Sequence, residues 1–162
     1  MSDRYRGPKS QLGKIRIKPG AVAELRKKIQ DSFAVVVEEL DYEYHVTIQD
    51  PDAFEYLGFF DQDIVDTGRF DDSQIIDVQT KGNVTTARWI WNPTSPDDGY
   101  HYASALYYGF HPYGGTGYCP GRPWVDFSIR KLDPVSLLVK ELKSRGLKAR
   151  VIQNNVSTLQ LG

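Results

Sequence analysis

Residues 19–44 read PGAVAELRKKIQDSFAVVVEELDYEY, and the apolar side chains in this stretch recur at steps of three or four residues. The positions in the apolar stripe are Val22, Leu25, Ile29, Phe33, Val36, Leu40 and Tyr44. Such spacing predicts one face of an amphipathic helix, and Pro19 suits the first turn of a helix. A helix that runs to about Tyr44 has about seven turns, so we expect it to be the spine of the fold.

The sequence before this helix has a different character. Residues 1–18 mix Arg, Lys, Gly, Pro and Ser, and their aliphatic residues are only Leu12, Ile15 and Ile17. Because so little apolar material cannot build a packed unit, we expect a basic extended arm that becomes ordered against a partner. The rest of the chain is long enough for one domain, which we place at residues 19–153, followed by a short C-terminal tail at residues 154–162.

Two runs rich in β-branched residues, 74–80 and 84–91, surround a turn that contains Gly82 and Asn83. This arrangement predicts an antiparallel β-hairpin. Residues 49–70 are expected to form a loop with one short helical turn. The pattern of residues 100–110 leaves a short helix and a strand open, and residues 111–121 are expected to form a long loop rich in Gly, Pro and Tyr.

A second amphipathic stretch begins at Arg122-Pro123-Trp124. Asp133 is a typical N-cap and Pro134 a typical first helical residue, so this stretch predicts two helices or one broken helix that ends at Gly146. Residues 147–152 are expected to form a last strand. Together the elements predict an α+β fold, in which a small antiparallel sheet packs against the long N-terminal helix and a C-terminal helix, with the arm and the long loop as extensions.

The net charge of −1 hides a strong segregation of charge along the sequence. Residues 1–30 carry a net +7, residues 31–77 a net −13, residues 78–128 are neutral and residues 129–162 carry +5. The acidic block opposes general binding of nucleic acid through the net field. Unlike patches on one subunit complement each other when identical subunits pair head to tail. The charge pattern therefore suggests a ring, and a monomer whose charges cancel internally is the alternative.

The residue types that carry chemistry form no recognisable site pattern. His101, His111 and Cys119 are possible zinc ligands, but their spacing matches no ligand motif, and Cys119 has no local partner for nucleophilic catalysis. We therefore expect no metal, no cofactor and no enzymatic activity.

The sequence has one Cys, no signal peptide and no apolar run of roughly 18 residues. These features predict a protein made in a reducing cytoplasm without a membrane span.

An ordered set of short motifs follows the long helix. Asp66-Thr67-Gly68-Arg69-Phe70-Asp71-Asp72-Ser73 precedes the hairpin, which is followed by Tyr102-Ala103, Tyr108-Gly109 and Arg122-Pro123-Trp124. This order, over residues 20–145, resembles the neck and tail-completion family of long-tailed bacteriophages, the minor tail protein Z-like group, although Phe70 stands where Leu is usual. The resemblance implies a structural virion protein of the neck or tail, and leaves tail completion, tail termination and head-tail joining open as its role.

The resemblance also implies partners and a location. The chain is expected to form a homo-oligomeric ring, a hexamer, around the DNA channel, to assemble in the host cytoplasm and to reside in the virion neck or tail. Its other partners would be neighbouring neck, connector or tail-tube proteins, with genomic DNA passing through passively and no membrane involved.

Two groups of residues are candidates for these contacts. The candidates for contact with other subunits or partner proteins are Arg4, Arg6, Lys9, Arg69, Tyr102, Tyr108, Tyr113, Tyr118 and Arg122. The candidates for an acidic strip that faces the channel are Asp61, Asp63, Asp71 and Asp72, since carboxylates repel phosphates over a Debye length of ~8 Å. Tyr102 and Tyr108 are expected to bury their rings, Arg69 to organise ion pairs, and Trp124 to anchor the core.

Two alternative functions from other classes stay open. One is a small hydrolase that uses paired carboxylates of the acidic block. The other is a nucleic-acid-associated accessory protein that uses the basic residues between 4 and 28. Loss of activity on replacement of one Asp pair would favour the hydrolase, and salt-sensitive DNA binding that requires the arm would favour the accessory protein.

Overall fold

A computed structural model of the chain describes residues 20–59, 68–95, 99–112 and 114–151. The predicted arm at residues 1–18 and the predicted tail at residues 154–162 lie outside these ranges. The described residues form an α+β fold, as predicted. Its elements are α1 (Ala21–Gln49), a 3-10 turn (Glu55–Leu57), α2 (Arg69–Asp72), β1 (Gln74–Lys81), β2 (Val84–Trp91), α3 (Ala103–Tyr108), β3 (Gly109–Phe110), β4 (Cys119–Pro120), α4 (Trp124–Leu132) and α5 (Pro134–Ser144).

The predicted spine is α1, a helix of 29 residues and about 43 Å in length. It extends to Gln49, five residues beyond the predicted end, because Tyr44, Thr47 and Ile48 continue the buried face. The helix ends at Asp50, whose backbone is extended. Pro51 explains this end, since a proline disfavours helical geometry in the residue before it.

The predicted hairpin consists of β1 and β2, which pair antiparallel from Gln74 opposite Trp91 to Lys81 opposite Val84. Its two-residue turn is Gly82-Asn83, in which Gly82 has a φ of 62°. A glycine with positive φ at the first turn position suits the twist of a hairpin. The hairpin lies along α1: the side chains of Gln74 and Trp89 both donate to Asp41 near the middle of the helix, at 2.8 and 2.9 Å.

The core lies at the C-terminal end of α1, where aromatic side chains from five elements meet. Trp124 is fully buried. Its ring packs edge to face against the rings of Phe70, Trp91 and Tyr107, with centroid-to-centroid distances of 4.8–5.6 Å. Tyr44 packs edge-on against Trp91 at 5.3 Å. Edge-to-face contacts of this kind stabilise aromatic cores beyond the area that they bury, and they confirm Trp124 as a core anchor.

Two separate helices, α4 and α5, form the C-terminal stretch. Asp133 separates them with a φ of 48°, and its side chain accepts hydrogen bonds from the backbone N–H and the hydroxyl of Ser136. The predicted N-cap is therefore confirmed. Both helices pack against α1: Ser128 of α4 donates to Thr47 at 2.8 Å, and Arg145, directly after α5, lies 3.9 Å from Asp31.

Two predictions about the loops need correction. The expected strand at residues 147–152 is wrong for residues 147–151, which form no strand. Gly146 has a φ of 80° and donates to the carbonyl of Lys143, while Leu147 donates to that of Leu142, so this segment closes α5 as a Schellman motif. The segment before the hairpin contains α2 in addition to the single helical turn expected there.

Candidate interaction surfaces

Residues from three of the four sequence motifs meet inside the core, although they are far apart in sequence. The ring of Phe70 lies 6.5 Å from that of Tyr102 and 4.8 Å from that of Trp124. Ala103 and Phe70 are buried in the same cluster. The motifs therefore share one packed site.

Gly68 is the N-cap of α2, and Arg69 is its first residue. Gly68 has a φ of 74°, a conformation that glycine adopts readily because it has no Cβ. Arg69 is exposed, and none of the ion pairs between described residues includes it. Its predicted role as an organiser of ion pairs remains a prediction for a contact beyond these residues.

The expectation that Tyr102 and Tyr108 both bury their rings is wrong for Tyr108. Tyr108 is 59% exposed, whereas Tyr107 is buried and Tyr102 is half-buried. The reason is helical spacing: Ala103 and Tyr107 are four residues apart, so they share the face of α3 that turns to the core. Tyr108 is consequently available at the surface as a contact residue.

Tyr107 is held in its buried position by a hydrogen bond to Asp126. Burial, first, and then this carboxylate raise the pKa of Tyr107 well above its usual range. Burial also raises the pKa of Tyr44, with further contributions from Tyr107, Asp126 and Asp41. Both hydroxyls therefore stay protonated in the folded protein to a higher pH than the hydroxyl of a free tyrosine does.

The Gly, Pro and Tyr loop is closed at its base by two glycines. A Cβ at Gly109 would lie 2.6 Å from the backbone oxygen of Cys119, and one at Gly121 would lie 2.2 Å from that of Tyr107. The two legs of the loop pair there as β3 and β4. Tyr118 is exposed and donates from its hydroxyl to the carbonyl of Tyr108 at 2.8 Å.

Arg122 follows this loop and is half-buried rather than freely exposed. Its guanidinium lies 4.7 Å from the centroid of the Phe59 ring, and its backbone N–H donates to Leu106 at 2.8 Å. A guanidinium over an aromatic face makes a favourable cation–π contact. Arg122 thus packs against Phe59 at the end of the molecule that contains the core.

The acidic block divides into engaged and exposed carboxylates. Asp71 is half-buried, and its oxygens bond His45 and Gln49. Asp41 accepts from the hairpin as described, and Glu43 pairs with Lys131 at 2.7 Å. Among the described residues of the block, the exposed acids are Glu38, Glu39, Asp52, Glu55 and Asp72. Of the channel-strip candidates, Asp72 is thus exposed, and Asp71 has internal partners.

The N-terminal third of α1 projects beyond the core. Helix α5 ends near Asp31, and within the described part of the chain the hairpin accompanies the preceding residues of α1: Arg26 Nη2 donates to the side-chain oxygen of Asn83 at 2.8 Å. We call residues 21–30 of α1 together with residues 76–88 of the hairpin the projecting end. Its apolar residues Val22, Leu25 and Ile29 are 56%, 45% and 46% exposed, although the same sequence stripe is buried from Val36 onward.

An apolar groove of about 260 Å³ runs between the helix and the hairpin at the projecting end. Val22, Leu25, Arg26, Ile29, Thr80 and Thr85 are among its lining residues. The apolar periodicity predicts one continuous helix face and does not show which part of it is covered, and so the groove was missed. A signal was present: α4 and α5 contain 9 and 11 residues, too few to cover a helix of 29.

Six candidate residues lie outside the described ranges, namely Arg4, Arg6, Lys9, Asp61, Asp63 and Tyr113. Within those ranges, no three His, Cys, Asp or Glu side chains are grouped so as to hold a metal ion. None of the described helices combines the length and the apolar character that a bilayer crossing requires.

Comparisons of the chain with protein-family models, with curated proteins and with solved structures find no match.

Proposed function

We propose that this chain is a structural subunit of the neck or tail of a long-tailed bacteriophage, and that it assembles into a homo-oligomeric ring around the DNA channel. Its task would be to complete the tail or to join the tail to the head, without catalysing a reaction. Neighbouring rings, formed by connector or tail-tube proteins, would be its other partners.

The observation that carries the self-assembly part of this proposal is the projecting end. A contiguous apolar surface, formed by Val22, Leu25 and Ile29 with the facing hairpin, is left open by the described chain. Large exposed apolar patches on a folded protein are typical of interaction sites. Because the surface lies at one extremity of the molecule, a neighbour can reach it without any rearrangement of the core.

The phage part of the proposal is supported by the resemblance of the ordered motifs. Their residues Phe70, Tyr102, Ala103 and Trp124 pack together, so the motifs act as one structural unit in this fold. The surface tyrosines Tyr108 and Tyr118, which lie beside that unit, suit contacts with partner proteins.

A ring around DNA needs a surface that does not retain the duplex. Asp72 is exposed on α2, and we place it on the channel side in the proposed ring. A carboxylate there repels passing phosphates at short range, so the genome would pass through without adhesion.

The test is the mass and shape of the full-length protein, alone and mixed with the connector and tail-tube proteins encoded beside it. Sedimentation velocity and native mass spectrometry are expected to show a closed oligomer, and electron microscopy a ring with a central opening. A protein that stays monomeric at every concentration, also with those partners, would contradict the proposal.

A second candidate function is that of a DNA-associated accessory protein. It is favoured by the bases at the projecting end, where Arg26, Lys27, Lys81 and Arg88 are exposed. Such a protein would bind duplex DNA with an affinity that falls steeply as salt is raised, and Lys27→Glu and Lys81→Glu would weaken the binding. A ring subunit that lets DNA pass would show no such binding.

A further inference from the structure

The projecting end offers an apolar groove with a basic rim. Arg26 lines the groove itself, and Lys81, which stands between the lining residues Thr80 and Gly82, is exposed beside it. The volume of the groove, about 260 Å³, exceeds that of one large side chain. A suitable occupant therefore has an apolar or aromatic centre and acidic surroundings.

The opposite end of α1 has these two properties. Tyr56, in the turn that follows the helix, is 62% exposed, and Asp52 and Glu55 beside it are also exposed. We call residues 50–57 the acidic knob. Its base is rigid, because Phe54 is fully buried and packs against Phe127 of α4 at 5.6 Å.

The negative charges of the acidic knob do not stabilise α1. The last turn of α1 contains no base, and the acids of the knob follow the negative end of the helix dipole, where cations are the stabilising charges. The knob would be favoured by a contact with bases from outside, such as those on the rim of the groove.

We propose that the groove at the projecting end receives the acidic knob of a second copy of this chain, with Tyr56 as the central side chain. This inference rests on the proposed function, since it names the contact through which the ring would form. The two surfaces lie at opposite ends of α1, about 36 Å apart along the helix axis between Leu25 and Gln49. A contact between two different surfaces of identical chains is heterologous, and it generates a ring when the rotation closes.

The chain's own arm is a less suitable occupant. Residues 1–19 contain six Lys or Arg and one acid, so that segment has the same sign of charge as the rim. Like charges across a contact oppose it. The acidic knob of another copy has the opposite sign.

The experiment uses two variants of the full chain, each of which removes one side of the contact. Leu25→Glu places a carboxylate in the groove, and Tyr56→Ser removes the central side chain of the knob. Each is expected to weaken self-association by at least about 30-fold, the loss typical of a central aromatic contact, as measured by sedimentation velocity over a range of concentrations. The matched controls Ala34→Glu and Tyr42→Ser, also at exposed positions on α1, are expected to assemble like the unaltered protein.

Mixing the variants gives the sharpest result. Leu25→Glu retains a knob and Tyr56→Ser retains a groove, so an equal mixture is expected to form dimers and nothing larger. Circular dichroism establishes that both variants fold. A mixture that stays monomeric, or oligomers that neither variant disturbs, would overturn this inference and leave the ring itself standing. If the unaltered chain is monomeric under all conditions, the proposed function fails with it.

The arm is tested in the same assay. Ile15→Glu alters the arm in the full chain and is expected to leave assembly unchanged. If Ile15→Glu and Leu25→Glu change assembly alike while Tyr56→Ser has no effect, the arm rather than the knob occupies the groove, and the inference is wrong.

Discussion

The two ends of α1 carry the same apolar stripe in opposite environments. At the C-terminal end, Leu40, Tyr44 and Ile48 are buried under the aromatic core. At the N-terminal end, Val22, Leu25 and Ile29 remain about half exposed beside the hairpin. One continuous periodic pattern therefore has two outcomes: its later part stabilises the fold, and its earlier part stays exposed, where we propose that a second copy of the chain binds.

The largest expected difference between the ends concerns stability. Trp124→Ala removes the central ring of the core and is expected to lower the free energy of unfolding by about 3–5 kcal/mol. Leu25→Ala at the projecting end is expected to change it by less than about 0.5 kcal/mol. Urea denaturation of both variants measures the contrast, and equal losses would mean that the projecting end belongs to the core.

A smaller effect is expected where α1 meets α4. The hydroxyls of Ser128 and Thr47 are buried and bonded to each other, so Ser128→Ala removes a donor and leaves Thr47 with Glu43 as its remaining partner. We expect a loss of about 1–2 kcal/mol in unfolding free energy. Ser144→Ala, which removes an exposed hydroxyl bonded within its own helix, serves as the control. Similar values for the two variants would contradict the assignment of this contact to the core.

The buried tyrosines predict a dependence on pH at the core end. Because the pKa of Tyr107 is raised in the folded state, the folded protein keeps a proton that the unfolded chain releases above about pH 10. The unfolding free energy should therefore fall as pH rises through that region.

Tyr107→Phe is expected to weaken this decline and to cost about 1 kcal/mol near neutral pH through the lost hydrogen bond. Urea denaturation from neutral to alkaline pH measures both effects. Tyr42→Phe, at an exposed position, is the control and should leave the decline unchanged. An identical pH profile for Tyr107→Phe would refute the role of Tyr107.

The smallest effect is expected at the tip of the hairpin. Asn83→Ala removes the acceptor for Arg26 and should change global stability by about 0.5 kcal/mol. Amide hydrogen exchange is expected to accelerate in the tip, while the amides near Trp91 keep their protection. Gln79→Ala on the same hairpin is the comparison variant. Uniform acceleration along both strands would show that the tip is not an independent unit.

Several elements were predictable because their signals are local. The step of three or four residues specified α1, the two β-branched runs around Gly82-Asn83 specified the hairpin, and Asp133-Pro134 specified the start of α5. Each of these signals depends on neighbours within a few residues, so no knowledge of the tertiary structure was needed.

Other features depend on what packs where, which periodicity does not encode. An apolar stripe predicts a helix face but not the length over which a partner covers it, and so the exposure of Val22 and Leu25 was missed. Adjacent tyrosines differ only by a helical rotation, and the choice of Tyr107 over Tyr108 follows from the position of the core. Asp71 acquired its internal partners, His45 and Gln49, through the packing of α2 against α1.

The close approach of Gly109 and Gly121 has a consequence for the exposed loop between them. Because its two ends are fixed at the base, residues 110–120 form a cassette whose length and composition can vary while the core stays in place. Each doubling of such a loop costs only about 0.6 kcal/mol in closure entropy. A peptide tag inserted near Thr116 would therefore be displayed at the surface while the core stays folded, and it would allow the subunits of the proposed ring to be counted.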